Sequence, residues 1–297
     1  ALALLYGLDG KNECRAVVVT TSKPNLKSAA ACDAVSKFYA AGGFARVLPV
    51  GMPETGKDSE STPLLDAVAA KHDHGIKQLN DTADVAAVMR NALTAQVDGN
   101  SVIVVVGPLT NAASLVELAG TREWISKKAK ALVFTDHIKE DVAAAKQVLK
   151  AWPGPLVFVP SDVSRDIQYP SSSIEKDFAY ASKHPIVDAY KAYKSMPYDA
   201  PTGDMAAVLY AVREKEGYFR LSAAGTLSVD DGGSVKFAES ADGKDRMLLP
   251  DPAQNERILK AYTELASAKP VVRQRFRPPV ADEKKPEVKQ PEAEKKP

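Results

Sequence analysis

A chain of 297 residues, 45% of them hydrophobic, is long enough to bury a large core, and α/β units of this size commonly fold as one domain. Lys and Arg number 39 against 38 Asp and Glu, a formal charge of +1 that argues against a dedicated nucleic-acid surface, and no apolar run approaches the length of a membrane span. Cys14 and Cys32 are too few for a disulfide framework and sit in no CxxC pair or histidine cluster, so they read as inert thiols, with a single bridge as the alternative.

The chain opens on a helix-like run, Ala1-Leu2-Ala3-Leu4-Leu5-Tyr6, with no capping residue ahead of it. Residues 16–21 (AVVVTT) form an apolar strand, followed by Ser22-Lys23-Pro24-Asn25 and a helix over 26–41. Asn25, placed after a proline, is by itself a turn residue. Residues 44–50 read as a short strand running into a polar loop, 53–63, placed to flank a pocket. Residues 81–93 form an amphipathic helix with Thr82 or Asp84 near its start and Val85, Val88, Met89 and Leu93 on one face.

Residues 102–120 (VIVVVGPLTNAASLVELAG) combine a strand, a break and a helix start. The β-branched run suits a strand covered on both faces, as in a parallel sheet flanked by helices. Gly107-Pro108 stops the ladder, Thr110 or Asn111 caps the next helix, and Gly120 ends it. Such a junction lies at the carboxyl end of a strand, where open α/β sheets place their ligands. Residues 130–134 and 155–159 read as further central strands separated by a helix over 140–152. Asp204 opens another helix within 200–213, where by itself it is a cap.

This alternation predicts an α/β fold with a doubly wound, mostly parallel sheet flanked by helices. Beyond Tyr218 the pattern changes to a small C-terminal hairpin, 225–237, around Asp230-Asp231-Gly232-Gly233, and a final helix over 252–268. The domain therefore covers 1–276. Residues 277–297 are mostly Pro, Glu and Lys, with five lysines against five acids and almost no large apolar side chain, a composition that cannot bury enough apolar surface to order, so a disordered tail is expected there. Its role is that of a solvated end or, more sharply, a tether to a partner or a cell wall. No internal repeat is present.

Three of these segments resemble one family. The string GPLTNAA at 107–113, the exit of the 16–21 strand with Asn25, and APTGDMAAVLYAVR at 200–213, with Asp204, Ala207, Val208 and Tyr210 in register, resemble the inosine-uridine-type nucleoside hydrolases. These are calcium-dependent proteins that cleave the N-glycosidic bond of ribonucleosides. The resemblance implies a small-molecule ribosyl substrate, a homo-oligomer, and Ca2+ as cofactor. It implies Asn25 facing the ribose, with Asp204 and the Val106 backbone carbonyl as metal ligands. Calcium takes six to eight oxygen ligands. In the family it holds ribose hydroxyls and a water, from which an aspartate removes the proton as an oxocarbenium-like transition state forms.

The sequence also departs from that pattern. In the family an Asp-x-Asp-x-x-x-Asp-Asp run ends a strand just ahead of an Ala-Leu-Ala-Leu helix, and here the sequence starts at Ala1. The expectation is that 1–297 is a piece of a longer protein whose preceding strand carries the base and most metal ligands; a signal peptide, if one existed, would lie there too. Residues 134–140 (FTDHIKE) run straight into Asp141-Val142-Ala143-Ala144-Ala145, so a loop is shortened. Thr135, Asp136 and His137 stand where the family has a Glu-Phe-Asn segment. Asp136 and His137 are the candidate catalytic residues, against the plainer reading of a structural strand-exit pair. Gly203 stands at the family's histidine, and His72, His74 and His184 fall in polar loops. Two functions follow: N-glycosidic hydrolysis of a ribosyl compound by the complete protein, or a non-catalytic sugar- or nucleoside-binding or exported structural protein with a degenerate site. Residues 1–297 alone are expected to release no base from inosine or uridine.

Overall fold

Apolar runs pair into strands, and the amphipathic segments between them close over the faces. The computed structural model describes residues 1–56 and 62–272, so the tail at 277–297 and part of the 53–63 loop lie outside the described residues. The first half contains α1 (Leu2–Gly10), β1 (Val19–Thr20), α2 (Leu26–Ala40), β2 (Val50–Gly51), α3 (Pro63–Lys71), α4 (Val85–Thr94), β3 (Ser101–Val105), α5 (Thr110–Glu117) and α6 (Thr121–Lys128). Then follow β4 (Ala129–Thr135), α7 (Val142–Ala151), β5 (Leu156–Val159), β6 (Gln168–Tyr169), α8 (Ser171–Lys176), α9 (Pro185–Tyr193), β7 (Ala200–Pro201) and α10 (Gly203–Val212). The last elements are β8 (Arg220–Leu221), β9 (Gly225–Val229), β10 (Val235–Glu239), β11 (Arg246–Leu249) and α11 (Asn255–Ala266).

The main sheet runs in the order β3-β4-β5-β11-β8. β3, β4, β5 and β11 are parallel, and β8 closes the far edge antiparallel to β11. Because side chains alternate along a strand, Leu132, Phe134, Leu156 and Phe158 join one core with α5 and α7, while Val133, Val157 and Val159 join another with Ala206, Ala207 and Tyr210 of α10. A third core lies beyond α10, where α1 packs on α11. Gly7 permits that approach, since a Cβ there would sit 2.0 Å from the Leu265 carbonyl oxygen. β9 and β10 form the expected hairpin, turning through Gly233 at φ +78°, and it lies against α7.

β1 and β2 form a separate parallel pair. Their carboxyl ends lie beside that of β3, because Asn111 Nδ2 at the start of α5 donates to Thr20 Oγ1 at 3.0 Å and to the Thr21 carbonyl at 2.9 Å. Among the described residues the second edge of β1 and the second edge of β3 have no strand partner.

Several expectations are corrected. β3 is covered on both faces as expected, Ile103 and Val105 packing against one core and Val102 and Val104 against another, but it is only half-buried along its length because one edge is open. The strands expected at 16–21 and 44–50 shrink to β1 and β2, two residues each. Neither Thr110 nor Asn111 caps α5: Leu109 occupies that position, Thr110 Oγ1 donates to Asp141 Oδ2 at 2.7 Å, and Asn111 reaches β1. α5 ends at Glu117, and Gly120, at φ +75°, instead leads into α6. Of the two caps weighed for α4, Asp84 serves, accepting from the Ala87 N–H at 2.7 Å. Cys14 and Cys32 are free thiols, pushed up to about 12 and about 11 by burial, so they are inert and no bridge joins them.

His184 overturns the polar-loop reading. It is 2% exposed, ringed by Phe38, Phe178, Tyr39 and Tyr180, and its Nδ1 accepts the Ile186 N–H at 3.2 Å, capping α9. With Nδ1 accepting, Nε2 carries the proton and donates to Tyr180 Oη at 2.9 Å. Burial, and secondarily the nearby His72, lower its pKa to about 4, with Asp188 opposing.

Candidate functional site

The sheet delivers its side chains for chemistry at the carboxyl ends of β3 and β4, beside the start of α10. β4 ends at Thr135, whose hydroxyl leans on the Val105 carbonyl at 3.4 Å, and the chain then turns through a short 3-10 helix, Ile138–Glu140. Ile138 anchors that turn in the core, which leaves His137 and Glu140 on the outer side, three residues apart and facing each other.

His137 is the hub. Its Nδ1 faces Glu140 Oε1 at 2.8 Å and its Nε2 faces Asp204 Oδ1 at 3.4 Å. A ring with a carboxylate at each nitrogen donates from both, so it is an imidazolium. The hydrogen bond it donates to Asp204, then the one it donates to Glu140, push its pKa up to about 9 against the opposing effect of partial burial. Glu140 also pairs with Lys23 at 3.1 Å, which ties the exit of β1 to the exit of β4. Burial opposes ionisation of Glu140, but its bonds to His137 and Lys23 hold the carboxyl below its usual range.

Asp204 lies in the first turn of α10, where the helix dipole favours its negative charge, and it makes no capping bond. The capping alternative for Asp204 is thereby corrected: Thr202 holds the N-cap position and sends its hydroxyl to the Ile167 carbonyl at 2.7 Å. Gly203 precedes it with room to spare, since a Cβ there would meet only Ser164 Oγ at 3.6 Å, an ordinary contact. Asp141 Oδ1 caps α7 through the Ala144 N–H at 3.0 Å.

The expected residues fall into two groups. His137 and Asp204 meet. Asp136 does not join them: it is exposed and makes no hydrogen bond or ion pair among the described residues. Asn25 is buried and accepts the Ser28 N–H at 2.9 Å as the N-cap of α2, with Lys23 two residues before it. Val106, just past β3, is 37% exposed. Sequence reasoning missed Glu140 and Lys23; the His-x-x-Glu spacing was the available sign for the first.

The donor set can be tested against calcium. Asp204 offers one carboxylate, already paired to an imidazolium, and Val106 one carbonyl. No group of three or more His, Cys, Asp or Glu among the described residues is placed to hold a metal ion. One carboxylate and one carbonyl, three oxygens at most of the six to eight that calcium takes, are too few to hold it.

No protein-family model and no curated protein matches the chain. Solved structures do. A purine-preferring ribonucleoside hydrolase from Gardnerella vaginalis superposes with a TM-score of 0.68 at 14% identity, over 90% of this chain and 94% of that one. An inosine-uridine preferring nucleoside hydrolase from Bacillus anthracis gives 0.60 at 14%, over 90% and 95%. The type III effector protein XopQ, complexed with adenosine diphosphate ribose, gives 0.62 at 12%, over 89% and 88%. The chain thus has a nucleoside-hydrolase-like fold. Among the described residues no helix is long and apolar enough to cross a membrane.

Proposed function

We propose that the protein binds a ribosyl compound at the carboxyl edge of its sheet and, in its complete form, hydrolyses an N-glycosidic bond of a ribonucleoside or a related compound. The observation that carries this reading is the cluster of His137, Asp204 and Glu140 at the exit of β4 and the start of α10, in the crevice position where open sheets bind ligands. The shared fold supports it.

The residues suit distinct tasks. Asp204 accepts hydrogen bonds from ribose hydroxyls and stabilises positive charge that develops on the sugar as the bond to the base breaks. His137, held as an imidazolium, donates a proton to the departing base and recovers it from solvent, with Glu140 keeping the ring oriented. Lys23 fixes Glu140 in turn. Calcium belongs to the proposal only with oxygen donors additional to Asp204 and the Val106 carbonyl; bound, it would supply the activated water.

The test measures binding and base release separately. Inosine and uridine are titrated against residues 1–297 by NMR, and base release is followed with and without calcium for 1–297 and for the protein with whatever its gene encodes ahead of Ala1. The expected result is nucleoside binding at this edge, lost on Asp204→Asn, no release by 1–297, and release by the extended protein that falls about 100-fold on His137→Gln. Binding without release by either form would replace hydrolysis with a binding function. No binding at all overturns the reading.

A further inference from the structure

The opposite end of the same strands carries a feature that the ribosyl site does not use. At the amino edge of the sheet, between it and the end of α10, lies a cavity of about 230 Å³. Its floor is an apolar face formed by Val102, Val133, Val157 and Leu221. Its rim carries three cations, Lys130, Lys244 and Arg246, against one carboxylate, Glu214.

Lys130 is there because of a break in register. Ser101 pairs with Ala129 and Val102 with Ala131, so Lys130 is the extra residue of a β-bulge between β3 and β4. Strict alternation would send Lys130 to the same face as Leu132, away from Ala131 and Val133. The bulge re-aims it, and Lys130, Ala131 and Val133 all line the cavity. Bulges of this kind commonly serve to point a side chain at a site.

Two of the three cations are held without being neutralised. Lys130 pairs with Glu214, but Lys244 Nζ is positioned by the Pro153 carbonyl at 2.9 Å and Arg246 Nη1 by the Ser222 carbonyl at 2.8 Å, both uncharged acceptors. Tyr210, 7% exposed, also lines the cavity, and its hydroxyl has no hydrogen-bond partner among the described residues. An accessible hydroxyl with no protein partner, beside three cations and one carboxylate, is free to donate a hydrogen bond to an anion.

We propose that this amino-edge cavity binds a small aromatic carboxylate, its ring on the Val102-Val133-Val157 face and its carboxylate toward Lys130, Arg246 and the Tyr210 hydroxyl. The apolar floor suits a ring of apolar carbons and is wasted on a hydrated inorganic anion, while the volume is below that of sites for drug-sized ligands. This site is independent of the ribosyl reading.

The probe is benzoate, followed by the methyl resonances of Val102, Val133, Val157 and Leu221. Saturable shifts confined to these methyls are expected, with benzamide, the neutral isostere, and the Lys130→Ala variant each binding about tenfold more weakly or worse, and inorganic phosphate leaving the methyls unmoved. Lys130 is half-exposed, so its removal leaves the fold intact, and Tyr210→Phe, which keeps the ring, is expected to weaken benzoate severalfold. The proposal is overturned by any of three results: no methyl shift at about 10 mM benzoate, a concentration that detects even a millimolar Kd; equal binding of benzamide; or unchanged affinity in both variants.

Discussion

β5 and β3 are apolar, β-branched strands of the same parallel sheet, yet every residue of β5 is buried and every residue of β3 is only half-buried. β5 lies between β4 and β11, under α7 on one face and α10 on the other, whereas β3 has β4 on one edge and no strand on the second among the described residues. The run of β-branched residues dictates that a strand forms. Its neighbours dictate how much free energy that strand contributes, because burial is a property of the surroundings.

The sharpest way to break this comparison is by truncation. Phe158→Ala in β5 should cost about 3–5 kcal/mol, the usual range for emptying a filled aromatic site, whereas Val104→Ala in β3 should cost about 1 kcal/mol, because its side chain is only partly removed from water. Urea unfolding of both variants measures the difference. Equal costs would mean that β3 is as well covered as β5.

Two histidines extend the contrast to pH. His184 is buried and neutral, with a pKa lowered to about 4. A depressed folded value means that its stabilisation is complete above about pH 6.5, the unfolded value, and is lost as pH falls toward 4, where the unfolded chain binds the proton first. The loss is about 3 kcal/mol at most. Comparing the stability of the wild type with His184→Asn, which retains a capping acceptor, from pH 7 to 4 isolates it from the carboxylates. A flat difference would show that His184 is not buried as described.

Local features should respond more weakly. Asp84→Ala removes the bond to the Ala87 N–H and should cost about 1 kcal/mol, while Thr82→Ala, which loses only a hydroxyl contact to the Leu79 carbonyl, should cost less. Thermal unfolding of the two separates the positions. A larger effect at Thr82 would reverse the assignment of the cap.

The smallest effect belongs to His137. Its pKa is raised to about 9, so its ion pairs contribute fully below about pH 6.5 and are lost as pH climbs through 9, the opposite window to that of His184. With both nitrogens near solvent, the contribution is under about 1 kcal/mol. An imidazole titration by NMR with a midpoint well above 6.5, shifted down on Asp204→Asn, is the expected result; an unperturbed midpoint would dissolve the cluster.

Legibility in the sequence followed the range of the interactions involved. β4, β5, α2, α7, α10 and the β9-β10 hairpin were readable because apolar period, caps and turn residues act within a few positions. β11 was not. Its four residues begin with a charge, and its partner β5 lies some ninety residues earlier, so nothing local announces it. His184 read as a loop histidine because Ser182-Lys183-His184-Pro185 is polar, while the aromatic residues that bury it come mostly from α2 and from the segment before α9.

The sequence by itself therefore determined the alternation of strand and helix, the hairpin, and the placement of Asp204 and His137 at element ends. Only the tertiary structure decided that β3 has an open edge among the described residues, that Asp136 is exposed, and that His137 lies between Glu140 and Asp204, the latter 67 residues on in the chain. The reason is physical. Backbone propensities and caps act between chain neighbours, whereas burial and charge pairing depend on distances in space, which the chain fixes only once its strands have chosen their partners.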